Sequence, residues 1–200
     1  YSSNLKVLEI VQGLEKGGRT VRFTDTVNGL RARNITVHPV CLSQPAAWVN
    51  ISGLTTIPRS IGVNWKLIWQ LATFIRKHNI DLVHAHCEYS QLYAGLAGLL
   101  CRVPSIGTFH RSDLSRYQPS LVNRIIRHTL SHFIAVSNDR LSLMRDQMRV
   151  PHACSSVVHG GTMLSPKLNS SDLAAARSQL NVKPETLALL SMGHLGVIKG

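Results

Sequence analysis

The sequence predicts an α/β domain built on a doubly wound parallel sheet. Short apolar runs alternate with longer helical patterns along the chain. Runs such as Phe133-Ile134-Ala135-Val136 are apolar at every position, which suits strands covered on both faces. A glycine pair, Gly17-Gly18, separates the first apolar run from the first helical pattern, as in a Rossmann-like unit.

The elements follow in order. Lys6–Val11 reads as a short apolar strand and Gly13–Gly18 as a turn. Thr20–Arg33 reads as a helix, with Phe23, Val27 and Leu30 on one face. Ile35–Leu42 is the next strand and Leu54–Pro58 a short third. Asn64 is a good N-cap for a helix running to His78. Leu82–His86 is a buried strand, Gln91–Leu100 a helix of small and aliphatic residues, and Ser105–Phe109 a strand entered after Pro104. Ser120–Leu130 is a helix, His132–Val136 a strand, and Ser137 caps a helix ending near Met148. Cys154–Val158 is a strand, Asp172–Leu180 a helix, and Leu187–Met192 a last strand before Gly193.

The 200 residues suffice for one full domain and a remainder. A hydrophobic fraction of 44% excludes a disordered or fibrous chain. No run approaches the roughly 18 apolar residues of a membrane span. The start, Tyr1-Ser2-Ser3-Asn4, lacks the basic-then-apolar pattern of a secretory signal. Cys41, Cys87, Cys101 and Cys154 form no C-x-x-C pair and are expected to be reduced, as in a cytoplasmic protein.

The net charge of +12 favours anionic partners: a membrane surface, a phosphorylated ligand or nucleic acid. Aromatics are 6% of residues and do not interleave with basic residues, so no nucleic acid is expected.

Lys16-Gly17-Gly18-Arg19-Thr20 leads into the first helix. Glycine lets a ligand approach the backbone, and the first helical amides with the helix dipole suit a phosphate or carboxylate. The segment is neither G-x-G-x-x-G nor a Walker A loop, and a glycine turn that only packs the helix on the sheet is the competing reading.

His84 and His86 alternate at the carboxyl end of one strand, and His110 ends the next. Ligands of open α/β sheets bind beyond those ends. His86, Glu88, His110 and Asp113 are therefore expected to converge near the glycine turn. Three readings compete: neutral hydrogen-bonding groups for a polar substrate, packing histidines (His84 above all), or a metal site of His86, His110 and a carboxylate. No ligand spacing supports the metal, so none is expected. Without a G-x-S-x-G elbow, the pattern does not favour a Ser–His–Asp hydrolase.

Taken together, these residues resemble the N-terminal, acceptor-side domain of GT-B glycosyltransferases, closest to family 4. Five segments carry the resemblance: Leu8–Gly18 with its glycine loop, Ile80-Asp81-Leu82-Val83-His84-Ala85-His86, Val103-Pro104-Ser105-Ile106-Gly107-Thr108-Phe109-His110, Ile134-Ala135-Val136-Ser137, and Ser191–Gly200. The resemblance implies transfer of a sugar, with retention of configuration, from a nucleotide-sugar donor to a glycan or lipid-linked acceptor, in bacterial surface polysaccharide or lipopolysaccharide synthesis.

It implies that Gly17, Gly18, His194 and Lys199 bind the donor phosphates. His110 would be the catalytic group beside the transferred sugar. His86, Glu88, Tyr89, Arg111 and Asp113 would line the acceptor side. No cofactor or metal is implied beyond the nucleotide sugar.

The chain departs from the family pattern in several places. His194 stands where relatives carry Arg, Gly160-Gly161-Thr162-Met163 replaces an Asn-Gly-Val-Asp segment, Thr20 replaces an acidic residue, and Arg111 replaces Gly. The resemblance divides the chain into residues 1–163, a linker and helix over 164–186, and the start of a donor-binding domain at 187–200. The family's later Glu pair lies outside these residues, so the 200 residues alone are expected to be inactive. The alternatives are a non-catalytic anion- or nucleic-acid-binding module and a sugar-nucleotide epimerase of the same architecture.

On a helical wheel, Trp65, Leu67, Ile68, Trp69, Leu71, Ala72, Phe74 and Ile75 fill an arc of roughly 220°. That exceeds a one-sided core stripe. In the helix after Ser120, Arg124, Arg127 and His128 share one face. Both helices suit peripheral contact with an anionic inner-membrane surface.

Overall fold

The computed structural model describes residues 5–60, 62, 64–110, 117–161, 167, 169–183 and 185–189. The chain divides into two compact units, Tyr1–Thr162 and Met163–Gly200.

The first unit is a seven-stranded parallel sheet with helices on both faces. Its elements are β1 (Lys6–Val11), α1 (Gly18–Arg31), β2 (Thr36–Cys41), β3 (Thr55–Thr56), α2 (Trp65–His78), β4 (Leu82–His86), α3 (Glu88–Cys101), β5 (Ser105–Phe109), α4 (Leu121–Thr129), β6 (His132–Ala135), α5 (Asn138–Asp146) and β7 (Ser155–Val157). A 3₁₀ turn, His152–Cys154, precedes β7. The strand order is β3-β2-β1-β4-β5-β6-β7. The chain thus winds outward from β1 in one direction, then from β4 in the other. Between β1 and β4 the connections part, which opens a crevice at the strands' carboxyl ends.

Alternation along the strands sorts the core. Leu8, Ile10, Val83 and Ala85 pack with Leu67, Leu71 and Ile75 of α2 and with Ala94 and Ala97 of α3. Phe109, Phe133 and Ala135 continue that layer under Ile126 of α4 and Met144 of α5. Val11, Val37 and Cys41 face the other way, onto Phe23 and Val27 of α1. Among the described residues of this unit, one helix serves one face and four serve the other.

Local signals explain the boundaries. The Asn64 side chain accepts the Leu67 amide at 3.1 Å, Ser120 accepts Asn123 at 3.0 Å, and Ser137 accepts Arg140 at 3.3 Å. α2 stops at Asn79, in the left-handed region at φ 50°. α3 begins at Glu88, three residues before the Gln91 expected from its apolar pattern. Cys87, at φ 80°, turns the chain directly from β4 into the helix. α1 ends at Arg31 rather than Arg33, and α5 at Asp146 rather than near Met148.

Two glycines let α3 lie close to its neighbours. A methyl group at Gly98 would meet the Ser105 hydroxyl, and the Val103 carbonyl oxygen at 2.8 Å. At Gly95 it would meet Thr129 of α4, with Cβ at 2.8 Å. Gly98→Ala is expected to cost about 1–3 kcal/mol by overpacking. A urea midpoint equal to that of the wild type would overturn this account.

In the second unit, α6 (Ser170–Gln179) is capped by Asn169, which accepts the Asp172 amide at 2.8 Å. None of its residues is buried. The last strand, expected at Leu187–Met192, is not seen at Leu187–Leu189, which carry no regular structure. The rest of that segment lies outside the described residues.

Candidate active site

The crevice between β1 and β4 holds a connected set of polar groups. β1 and β4 pair in register, with Glu9 beside His84 and Val11 beside His86. Glu9, His84 and His86 therefore face the same way, toward α1. Glu9 is fully buried, and His86 is 3% exposed. The Glu9 carboxylate accepts from His84 Nδ1 at 2.9 Å and from His86 Nε2 at 2.8 Å. His84 Nε2 lies 2.7 Å from the Thr108 hydroxyl. His86 Nδ1 lies 3.2 Å from His110 Nε2, and the two rings are nearly parallel, at 12°, with centroids 5.5 Å apart. Phe23 of α1 closes edge-on against His86 at 5.5 Å.

The electrostatics follow from burial. Desolvation alone would raise the Glu9 carboxyl, but the charges and hydrogen bonds of His84 and His86 outweigh it and hold the group at about 2. Burial lowers His86, and repulsion from His84 adds to this against the pull of Glu9. Burial lowers His110 most, joined by repulsion from His86, Arg22, His84 and Arg19, to about 3. At neutral pH the carboxylate is charged, and His86 and His110 are neutral.

Two cavities open onto this set. One, of about 350 Å³, lies between α1 and the sheet, lined by Arg22, Thr26, Leu30, His84, His86 and His110 among others. The other, of about 300 Å³, is lined by Glu15, Lys16, Gly17, Gly18, Arg19, Cys87 and His110. His110 borders both.

The second cavity meets the amino end of α1. The first turn of α1 has no acidic residue, and its cap, Gly17, offers no side chain to its amides. No side chain of that turn offsets the helix dipole, and Lys16, Arg19 and Glu15 share the cavity wall. The Thr20 hydroxyl donates to the Glu15 carbonyl and ties the loop to the helix. Arg19 reaches across to the Cys87 sulfur at 3.8 Å.

The structure thus brings Gly17, Gly18 and His110 to one cavity and His86 and His110 to the other. Glu88 and Tyr89, in the first turn of α3, line neither. Tyr89 instead packs under Arg59, whose guanidinium sits 3.9 Å from the ring centroid. Arg111, Asp113, His194 and Lys199 lie outside the described residues. His84, expected as a packing histidine, is buried and hydrogen-bonded at both ring nitrogens.

Glu9 was not expected. Its signal in the sequence was a lone carboxylate within the otherwise apolar run Val7–Val11, in phase with inward residues. Glu9, His84 and His86 bring three potential metal ligands within 4.8 Å of one another. As they stand, ring N–H groups occupy both carboxylate oxygens, and a cation would have to replace those protons.

Comparison with known proteins gives the setting. The family model Glycosyltransferase Family 4 matches residues 16–165. No curated protein sequence matches the chain. Among solved structures, HepE from Anabaena, in complex with UDP and glucose, is 17% identical with a TM-score of 0.64 over 88% of this chain and 50% of its own. The lipopolysaccharide outer core galactosyltransferase WaaB is 16% identical at 0.64, over 80% of this chain and 47% of its own. A UDP-N-acetylglucosamine 2-epimerase from Rickettsia bellii is 12% identical at 0.60, over 91% and 52%. The chain spans about half the length of each, and the likeness is one of fold. With its parallel Rossmann-like sheet and the family match over residues 16–165, the chain belongs to Glycosyltransferase Family 4, consistent with the N-terminal domain of a GT-B glycosyltransferase.

Proposed function

We propose that this domain serves a retaining glycosyltransferase. The enzyme moves a sugar from a nucleotide-sugar donor to a glycan or lipid-linked acceptor in bacterial surface polysaccharide or lipopolysaccharide synthesis. One observation carries the reading: an uncapped helix amino end flanked by Lys16 and Arg19 opens into the same cavity as the neutral His110.

The diphosphate lies against Gly17 and Gly18, where amides and the dipole favour negative charge. His110 hydrogen-bonds the transferred sugar. Lys199 and His194 offset charge developing on the leaving nucleotide, the lysine as a point charge. Glu88, Tyr89, Arg111 and Asp113 belong to the acceptor side, and His86, with both ring nitrogens engaged, serves it only through His110. The reaction uses no cofactor beyond the donor.

The test is a donor screen with the full-length protein, followed by NMR of the product's anomeric centre. We expect one nucleotide sugar to be turned over, with the donor's configuration kept. A folded protein that turns over none overturns the enzymatic reading. Recovery of the donor epimerised at its sugar, with no glycoside formed, would favour the epimerase instead.

We further propose cytoplasmic action with peripheral contact at the inner membrane. Among the described residues no helix is long and apolar enough to cross a membrane. The wide apolar arc of α2 splits in the fold. Leu67, Ile68, Leu71, Ala72 and Ile75 are buried, whereas Trp65 and Trp69 are 68% and 58% exposed. Lys66, Arg76 and Lys77 are exposed on the same helix. Tryptophans beside cations suit a bilayer interface. Replacing both Trp65 and Trp69 with Ser should weaken binding to phosphatidylglycerol vesicles about tenfold or more. Equal sedimentation of variant and wild type with such vesicles would end this proposal.

A further inference from the structure

The buried carboxylate of Glu9 is two residues removed from the ligand cavity around Gly17 and Gly18: it touches His86, and His86 touches His110. That chain has a direction. An ionised carboxylate only accepts, so His84 Nδ1 and His86 Nε2 must both carry protons. A neutral His86 protonated at Nε2 offers a lone pair at Nδ1. The group facing that lone pair at 3.2 Å is His110 Nε2, which must therefore donate. A neutral His110 protonated at Nε2 has its own lone pair at Nδ1. Among the described residues, no hydrogen-bond partner is found for that nitrogen.

We propose that Glu9 is a positioning residue that acts through His86 to hold His110 in the Nε2–H tautomer. The site then accepts a hydrogen bond from a ligand hydroxyl at His110 Nδ1 and cannot offer one to a phosphate there. The proposal rests on the reading of His110 as the group beside the transferred sugar, and divides the work inside one cavity. Lys16, Arg19 and the α1 amides take the anion, and His110 takes a hydroxyl.

The surroundings keep the chain in this state. Arg19, Arg22, His84 and His86 all bear on His110 and disfavour its cation, while Glu15, Lys16 and Cys87 complete the wall. Phe23 clamps the His86 ring from α1. The second acceptor oxygen of Glu9 is taken by His84, whose far nitrogen meets the Thr108 hydroxyl, so His84 is fixed too.

The test reads protons directly. In the full-length protein labelled with ¹⁵N-histidine, long-range ¹H–¹⁵N spectra near neutral pH should show His110 protonated at Nε2 and bare at Nδ1. Glu9→Met removes both acceptors at similar length. His86→Phe keeps a ring beside Phe23 and removes the relay. Either variant should release His110 into a mixture of tautomers. A wild-type His110 protonated at Nδ1 overturns the proposal, as does a His110 tautomer unchanged in the variants that fold. None of this needs a donor, so failure of the donor screen leaves the result standing by itself.

With an active donor a kinetic arm is added. Glu9→Met should lower kcat/KM about tenfold, the loss of one oriented hydrogen bond. Added to His110→Ala, it should cost nothing further. An additive loss would mark Glu9 as structural only and sink the proposal.

Discussion

Acidification from pH 7 to pH 4 should destabilise the first unit by several kcal/mol, most of it above pH 5, where surface carboxylates are still ionised. His110 is held at about 3 in the fold against an ordinary 6.5, and His86 is lowered as well. A lowered histidine means that the unfolded chain binds the proton first. Its stabilisation is complete above about pH 6.5 and drains away as the pH falls toward the folded value. For His110 alone, the 2.5 units between 6.5 and pH 4 amount to on the order of 3 kcal/mol. Glu9 acts in the same direction over a lower window. Its carboxyl falls from 4.5 to about 2 on folding, so its contribution is present above about pH 4.5 and lost below. Urea midpoints at pH 7, 5.5 and 4 would follow the loss, and His110→Gln should flatten it between 6.5 and 4. An unchanged midpoint from pH 7 to pH 4 in the wild type would contradict the buried, neutral state of these rings.

Gly17→Val should weaken binding of the nucleotide-sugar donor by roughly one to two orders of magnitude. Gly17 sits at φ 152° and ψ 174°, a conformation that L side chains seldom adopt. A Cβ there meets nothing within 4 Å, so the variant does not clash. It strains the backbone, by about 1–3 kcal/mol, and relief of that strain reorients the amides that begin α1. Gly17 is exposed and its Cβ meets nothing, so the domain's urea midpoint should fall by no more than this strain and the variant should stay folded. Donor affinity by calorimetry should fall, while the vesicle binding proposed for α2 should stay. Full donor affinity in the valine variant would show that the turn only seats the helix.

Much of the fold was legible because its signals are local. β1, β4 and β5 have the predicted limits, and the Asn64, Ser120 and Ser137 caps work as their side chains allow. The start of α3 was misjudged because Cys87 makes the turn in a conformation usually left to glycine, which no composition rule anticipates. Glu88, an acid in the first turn, was the available hint. At the site, alternation placed His84 and His86 together, and the strand end placed His110 near them. Alternation within one strand cannot reveal that Glu9 lies beside His84, since that pairing depends on which strands become neighbours. The exposure of Trp65 and Trp69 was hidden for a related reason: a wheel measures the width of an apolar arc, not how much of it a neighbour covers.

The pairing of β1 with β4 also sets an order of assembly. Glu9 and His84 are 75 residues apart, and the strands joining them are the middle of the sheet. A chain emerging from the ribosome can form β1, α1 and β2 early, because those contacts are nearby in sequence. Closing the loop to β4 carries a larger entropic cost and comes later. During that interval the Glu9 carboxylate is bathed in water on a half-built edge. An edge strand with an inward-pointing charge is a poor template for mispairing with another chain.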